Sequence, residues 1–304
     1  MEGVINLLKT PGMTSHDCVS AIRRLLKEKR VGHTGTLDPM ACGVLPICVG
    51  KATRLVEYSM DHEKTYRAEM LLGLTSDTQD ITGEIHKSEK IPEISPDKLQ
   101  EAFENFVGPI QQITPAYSAA KHKGKKLYEL ARQGEAVPRK IRDITIHKIS
   151  LFRYYPLEKY PRVIFDVVCS KGTYIRTLCA DLGQYLGTGA LMSFLVRTGS
   201  GPFLLPDTFT LEEIAELIDA GKDSFMTPMG MLVSQLPLVE LKPEGIQHII
   251  SGRAINQRNF TVREELSLQS TVVRLEHEGR LVGIGNLVLE NDSTCLVKPK
   301  KVLI

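Results

Sequence analysis

No two of the six cysteines (Cys18, Cys42, Cys48, Cys169, Cys179, Cys295) form a C-x-x-C pair. No Cys/His cluster has the ligand spacing of a zinc site, so no metal is expected. Four of the thiols sit among apolar neighbours, which reads as buried and reduced in a cytoplasmic protein. Apolar runs such as the one around Gly230–Val233 fall far short of the ~20 residues that span a bilayer. Met1-Glu2-Gly3-Val4 has neither a basic nor an apolar leader region, so no signal peptide is read there. A phosphate-binding P-loop is excluded, because no Gly-Lys-Ser/Thr follows the glycines of residues 31–43. Asp77, Asp80 and Glu84 fail the spacing of a calcium-binding EF-hand, with Gly83 directly before Glu84. A polar hairpin turn accounts for them better.

What is present is enough apolar residue, 42% of 304, for a real core. That length suggests a large and a small domain. Net charge is only +2, but it is unevenly spread. Residues 121–148 carry nine Lys/Arg against three Asp/Glu, and residues 205–240 carry seven acids against Lys222 alone. Lys121-His122-Lys123-Gly124-Lys125-Lys126 suits a polyphosphate backbone. A solvated loop explains the charge equally well.

Period and punctuation place the elements. Residues 3–8 are an apolar run closed by Pro11-Gly12. Thr14 caps a helix that carries Val19, Ile22, Leu25 and Leu26 and should end near Lys29-Arg30. Residues 31–43 read as a glycine-bearing loop. Residues 65–74 alternate as a strand, and 75–83 are a polar turn. Pro96 opens a helix at its first position. A short helix is expected over 126–133, strands over 144–152 and 162–170, and helices over 174–186 and from Thr210 to Leu217. After a composition change at 226–236, a helix over 243–250 and strands over 271–275, 281–289 and 295–297 form a small β-rich unit. Without a regular βαβ rhythm, a mixed α+β sheet, largely antiparallel and flanked by helices, is the expected fold.

The chemistry concentrates in Gly32-His33-Thr34-Gly35-Thr36-Leu37-Asp38-Pro39 and its continuation to Pro46. The glycines permit positive φ and close approach of a ligand to the backbone. Pro39 restricts Asp38 to an extended conformation. A carboxylate held in a rigid loop is what a nucleophile or general base requires. An Asx-type turn ahead of Pro39 fits the same residues.

These residues resemble the catalytic motif of the TruB/dyskerin family of pseudouridine synthases. Gly3 with Lys9-Thr10-Pro11-Gly12-Met13-Thr14-Ser15, Lys64-Thr65-Tyr66, Ser170-Lys171-Gly172-Thr173-Tyr174-Ile175-Arg176-Thr177-Leu178, and Gly189-Ala190-Leu191 through Leu195-Val196-Arg197 resemble its other motifs. The matches keep the family's order over about residues 3–203. The resemblance implies a pseudouridine synthase fold over residues 1–230, with an RNA-binding thumb insertion at about 118–145. It also implies a small PUA-like RNA-binding domain over 236–304.

The implied reaction is isomerisation of uridine to pseudouridine in the T loop of tRNA, at position 55, on a nucleotide flipped out of its stack. It needs no cofactor. Asp38 would be the catalytic carboxylate, Arg176 its bidentate partner, and Tyr66 the aromatic that stacks on the base and helps remove the C5 proton. Tyr174 and Leu195 would wall the pocket. His33 would fill the space the base vacates; the alternative is a loop histidine without a role. RNA contacts are expected from Lys9, Lys51, Arg54, Lys121, Lys123, Lys125, Lys126, Arg132, Lys171 and Arg197, with Lys298, Lys300 and Lys301 adding more. The implied partner is the tRNA T stem-loop, bound by a monomer without guide RNA or membrane. A non-catalytic RNA-binding or RNA-folding protein of the same fold is the rival.

Overall fold

The computed structural model describes residues 1–115, 117, 121–122, 125–126, 140–262, 271–291 and 294–304. The chain opens with β1 (Gly3–Lys9), α1 (Ser15–Leu26), β2 (Val31–His33) and β3 (Cys42–Val49). Then come α2 (Val56–Ser59), β4 (Lys64–Leu72), β5 (Leu74–Ser76), β6 (Ile85–Lys87), α3 (Pro96–Asn105) and β7 (Gly108–Ile113). A small ladder, β8 (Lys121–His122) and β9 (Lys125–Lys126), precedes the long strands β10 (Ile141–Tyr155) and β11 (Arg162–Cys169). α4 (Ile175–Tyr185), β12 (Ala190–Ser200), β13 (Phe203–Leu204), α5 (Leu211–Asp219) and β14 (Met226–Thr227) complete the larger part. The remainder is β15 (Leu238–Leu241), α6 (Pro243–Ile250), β16 (Ile255–Asn256), β17 (Phe260–Val262), β18 (Thr271–His277), β19 (Arg280–Asn291) and β20 (Thr294–Val302).

Ten strands make one sheet in the order β14-β1-β3-β12-β4-β11-β10-β7, with β13 beside β12 and β2 beside β3. Its pairings are antiparallel except where β12 meets β3. This is the mixed, largely antiparallel fold the sequence indicated. β4 alternates buried and half-buried residues along its length, the period of a strand with one face in a core. That face packs under α3 and α4: Leu99, Phe103, Leu178 and Leu182 meet Ala68, Met70, Val163 and Phe165. α1 and α5 cover β1 and β3 through Val19, Ile22, Ile214, Ile5, Leu7 and Leu45.

The six-stranded sheet, β16-β20-β19-β18-β15-β17, has its own core around Val239, Phe260, Val273 and Leu275. It is not isolated. Leu281, Ile284 and Leu303 join Val4, Val44, Tyr58, Leu232 and Val233 in a cluster common to both sheets. Lys301 adds polar links, donating to the Arg54 carbonyl at 2.5 Å and pairing with Glu57.

Several local readings are corrected. α1 stops at Leu26, because Lys27 adopts φ 52° and its N–H caps Arg24. Several strands were not anticipated, β3, β7 and β12 among them. β3 holds Pro46, which argues against a strand, and β12 and β7 lack clean alternation. β10 runs past its expected ends and carries two register shifts. Residues 141–145, the end of the expected insertion, belong to β10 and pair with β7. Of the helix expected over 126–133, Lys126 lies in β9 and the rest is outside the described residues.

Candidate active site

The loop between β2 and β3 presents Asp38, and buried groups hold it from several sides. The Lys9 ammonium, at the end of β1 and fully buried, donates to the carbonyls of Thr10 (3.2 Å), Pro39 (3.2 Å) and Ala41 (2.6 Å). Ser15, in the first turn of α1, accepts from Leu37 N at 2.9 Å, and Gly12 N donates to Pro39 O at 2.9 Å. Of Gly32, Gly35 and Gly43, only Gly43 has positive φ, at 106°. A Cβ there would land on the Arg197 carbonyl oxygen, because parallel β12 crosses at that point. The glycine serves a close approach of two backbones.

Arg176, in the first turn of α4, reaches Asp38 with two nitrogens: Nε to Oδ2 at 2.9 Å and Nη2 to Oδ1 at 3.4 Å. The arginine side chain is 5% exposed and that of Asp38 35%, so the carboxylate has one supported edge and one accessible side. A second carboxylate, Asp80, sits 3.4 Å from Nη1. It is fixed in turn by Thr82 N (2.9 Å), Thr82 Oγ1 (2.6 Å) and Thr78 Oγ1 (2.7 Å). The guanidinium also donates to the carbonyls of Thr78 (3.0 Å) and Tyr117 (2.9 Å). A planar fork with this many acceptors has one orientation, and it imposes that orientation on Asp38.

Tyr66 and Leu195 stand in the same core as Leu37 and Ala41, on adjacent β4 and β12. Tyr66 is almost wholly buried, and burial pushes its hydroxyl above the usual range, an effect the Arg197 charge opposes. His33 ends β2; its Nδ1 accepts from Gly35 N at 3.2 Å. Burial, then Arg197 and His16, lower its pKa, so the ring is neutral near pH 7. Tyr174 precedes α4, and the Gln112 side chain brackets its peptide, donating to its C=O at 3.2 Å and accepting from its N–H at 2.9 Å. Arg142 lies 5.7 Å from the Tyr174 ring centre. A cavity of about 750 Å³ lies against α4, walled by Gln79, Thr114, Thr177 and Asp181 among others. Asp38 is not part of its lining.

Residues 23–175 match the family described as TruB family pseudouridylate synthase (N terminal domain), and residues 176–234 match the tRNA pseudouridylate synthase B C-terminal domain. The chain belongs to the TruB family. It is similar to tRNA pseudouridine synthase B of Moorella thermoacetica, 47% identical over 99% of both chains. The Alkaliphilus oremlandii protein of that name is 44% identical over 100% of this chain and 99% of its own. Among solved structures, a Cbf5-Nop10-Gar1 complex aligns with TM-score 0.78 at 28% identity, covering 99% of this chain and 85% of that one. An H/ACA RNP bound to a substrate RNA containing 2'-deoxyuridine aligns with TM-score 0.77 at 27% identity, with coverage of 99% and 85%. The junction between the two TruB segments, at 175/176, falls at the start of α4 and inside the structure of one sheet, since β12 is central to it.

Two residues expected to touch RNA do not face solvent in this TruB chain. Lys9 is spent on the Asp38 loop, as described. Arg197 is 1% exposed and donates to Val44 O at 2.6 Å and Gly35 O at 3.2 Å. Burial with backbone acceptors leaves neither cation for a phosphate. Lys51, Arg54 and Lys171 lie nearer the surface. Lys51 is 3.8 Å from Glu2, Arg54 donates to Val302 O at 2.5 Å, and exposed Lys171 pairs with Asp61. Lys121, Lys125 and Lys126 lie in β8 and β9, whereas Lys123 and Arg132 are outside the described residues. Asp80 was read only as part of a polar turn. The Thr78 and Thr82 hydroxyls around it are visible in sequence as turn formers, but nothing there signals that the carboxylate turns inward.

Proposed function

We propose that this protein isomerises uridine to pseudouridine in tRNA, that its target is the T-loop uridine at position 55, and that Asp38 is the carboxylate that acts on the flipped-out nucleotide. The observation that carries this reading is the two-point contact of buried Arg176 with half-exposed Asp38 in a chain of the TruB family. The reaction breaks the N1–C1′ bond, joins C1′ to C5 and moves one proton from C5 to N1, with no net redox change. Asp38 attacks or electrostatically stabilises the detached intermediate. Arg176 keeps its carboxylate aimed, and Asp80 anchors Arg176. Tyr66 and Leu195 bound the base, Tyr174 closes the rim, and neutral His33 occupies the gap left in the T loop. Flipping costs a few kcal/mol, and phosphate contacts offset it.

In this reading residues 1–230 perform the chemistry, aided by the basic segment at about 118–140. Residues 236–304 form a PUA-like unit that holds RNA through Lys298 and Lys300. The protein acts as a cytoplasmic monomer on tRNA without a guide RNA. Incubating purified protein with an unmodified tRNA transcript and mapping pseudouridine tests this directly. Product at position 55 is expected from the native chain. Asp38→Asn should abolish it while binding the transcript within a few-fold. Turnover by Asp38→Asn close to that of the native chain would return the protein to the class of non-catalytic RNA binders.

A further inference from the structure

We infer that Arg197 is the positioning residue of Tyr66: its guanidinium, pinned to the Asp38 loop, is the counter-ion of the Tyr66 phenolate that takes the proton from C5. The inference rests on the function proposed above and adds a role for a side chain that reaches no RNA.

Arg197 and Tyr66 are direct partners across β12 and β4. The guanidinium donates to Val44 O on β3 and Gly35 O in the loop, and as the cross-strand partner of Tyr66 it brings its charge to the buried phenol. One fork thus ties β12 to β3 and to the Asp38 loop. Among the described residues it makes no ion pair with a carboxylate, although it is among the largest fully buried side chains. An uncompensated buried charge is costly. The group in contact that can turn negative is the phenol. Lys64, on the same face of β4 and 6% exposed, donates to His62 O at 2.8 Å and brings a second positive charge close to Arg197.

The titratable groups around the pair act in both directions. Cys169 and Asp38 face Tyr66 and disfavour the phenolate, as does burial, whereas Arg197 favours it. Lys64, His33 and Lys9 sense the Arg197 charge as well. Once C1′ has joined C5, that carbon carries a hydrogen and is tetrahedral. The C5–H bond breaks and its proton bonds to the Tyr66 oxygen. The electron pair becomes the C5–C6 π bond, and the former N1–C6 π pair moves to N1, which takes a proton from water. Tyr66 then returns its proton to solvent. Removing Arg197 raises the phenol pKa further, depletes the phenolate near neutral pH and slows this one step.

The test uses the full chain and tRNA carrying uridine or 5-deuterouridine at the target, in single-turnover reactions across pH. Arg197→Lys keeps the charge but loses the fork that holds the Val44 and Gly35 carbonyls together. It should slow product formation by about a hundredfold or more, the lower range for a positioned acid–base group. It should also show a larger isotope effect than the native chain, with RNA affinity within a few-fold. Arg197→Met should move the limb governed by Tyr66 to higher pH. An unchanged isotope effect and pH profile in a folded but slow variant would mean a purely structural role and overturn the inference. So would weakened RNA binding with a flatter salt dependence, which marks a phosphate contact. If neither variant folds, fluorotyrosine in the native chain, being more acidic, must shift the limb to lower pH. An unmoved limb is equally fatal. Absence of pseudouridine with the native chain would instead refute the proposed function itself.

Discussion

At the scale of single residues, the site is organised by cations that reach no solvent. Lys9, Arg176 and Arg197 each donate to backbone carbonyls, among them carbonyls of the segments that carry Asp38 or Asp80. Asp80 illustrates the logic. Its Oδ1 accepts three hydrogen bonds, leaving Oδ2 for Arg176. Asp80→Asn removes the charge but preserves shape, so Arg176 loses one of its two carboxylates. Its effect should appear in the chemical step, a slowing of about tenfold to a hundredfold, the cost of one charge-assisted contact of 1.5–3 kcal/mol. Single-turnover kinetics alongside a tRNA filter-binding measurement will separate rate from affinity; a pure loss of affinity would contradict the role. Asp38 and Arg176 were legible because their motifs are unusual. Asp80 was not, since an acidic residue between threonines looks like any turn.

At the scale of elements, the short parallel contact between β3 and β12 joins the Asp38 loop to Arg197. Gly43→Ala would place a methyl against the Arg197 backbone in a left-handed conformation. Destabilisation on the order of 1–3 kcal/mol is expected from the backbone strain alone, with more from the clash. Chemical denaturation measures it, and a native midpoint would show that the junction yields freely. On α4, burial pushes the Asp181 carboxyl up to about 6. Its folded pKa exceeds the unfolded value near ~4, so the folded state holds a proton that the unfolded state has lost between those pH values. Stability therefore falls as pH rises through that window, and the penalty is complete above it. Asp181→Asn should stabilise at pH 7, on the order of 1 kcal/mol after solvent screening, and show no gain by pH 4. Melting curves at the two pH values decide it; equal gains at both would exclude the linkage. Helices with caps, such as α1 behind Thr14 and α5 behind Thr210, were readable because capping is local. β3 and β12 were not, because both are buried in the sheet interior, where apolar runs lose their alternation.

At the scale of the whole molecule, the two sheets are joined by apolar contact. Leu303 is 2% exposed in the cluster that also holds Val4, Val44 and Tyr58. The six-stranded sheet is therefore expected to unfold together with the larger one. Leu303→Asp buries an unpaired charge at that junction and should split one calorimetric transition into two, the six-stranded part melting first. A single unshifted transition would mean that the shared cluster contributes nothing to cooperativity. The same docking turns Lys301 toward Glu57 and the Arg54 carbonyl; Lys300 also reaches the Tyr58 ring, 5.4 Å from its centre, while Lys298 is exposed.

By itself the sequence determined the class of fold and the family, and pointed to Asp38 and Arg176 as partners, which the structure brings together. Those depend on local chemistry: period, caps, and a loop whose composition few other functions share. Only the tertiary structure decided which charges face solvent and which are structural. Lys9 and Arg197 look like surface cations in one dimension. They are buried because strands distant in sequence bring carbonyls around them, and no local pattern encodes which backbone oxygens will be near.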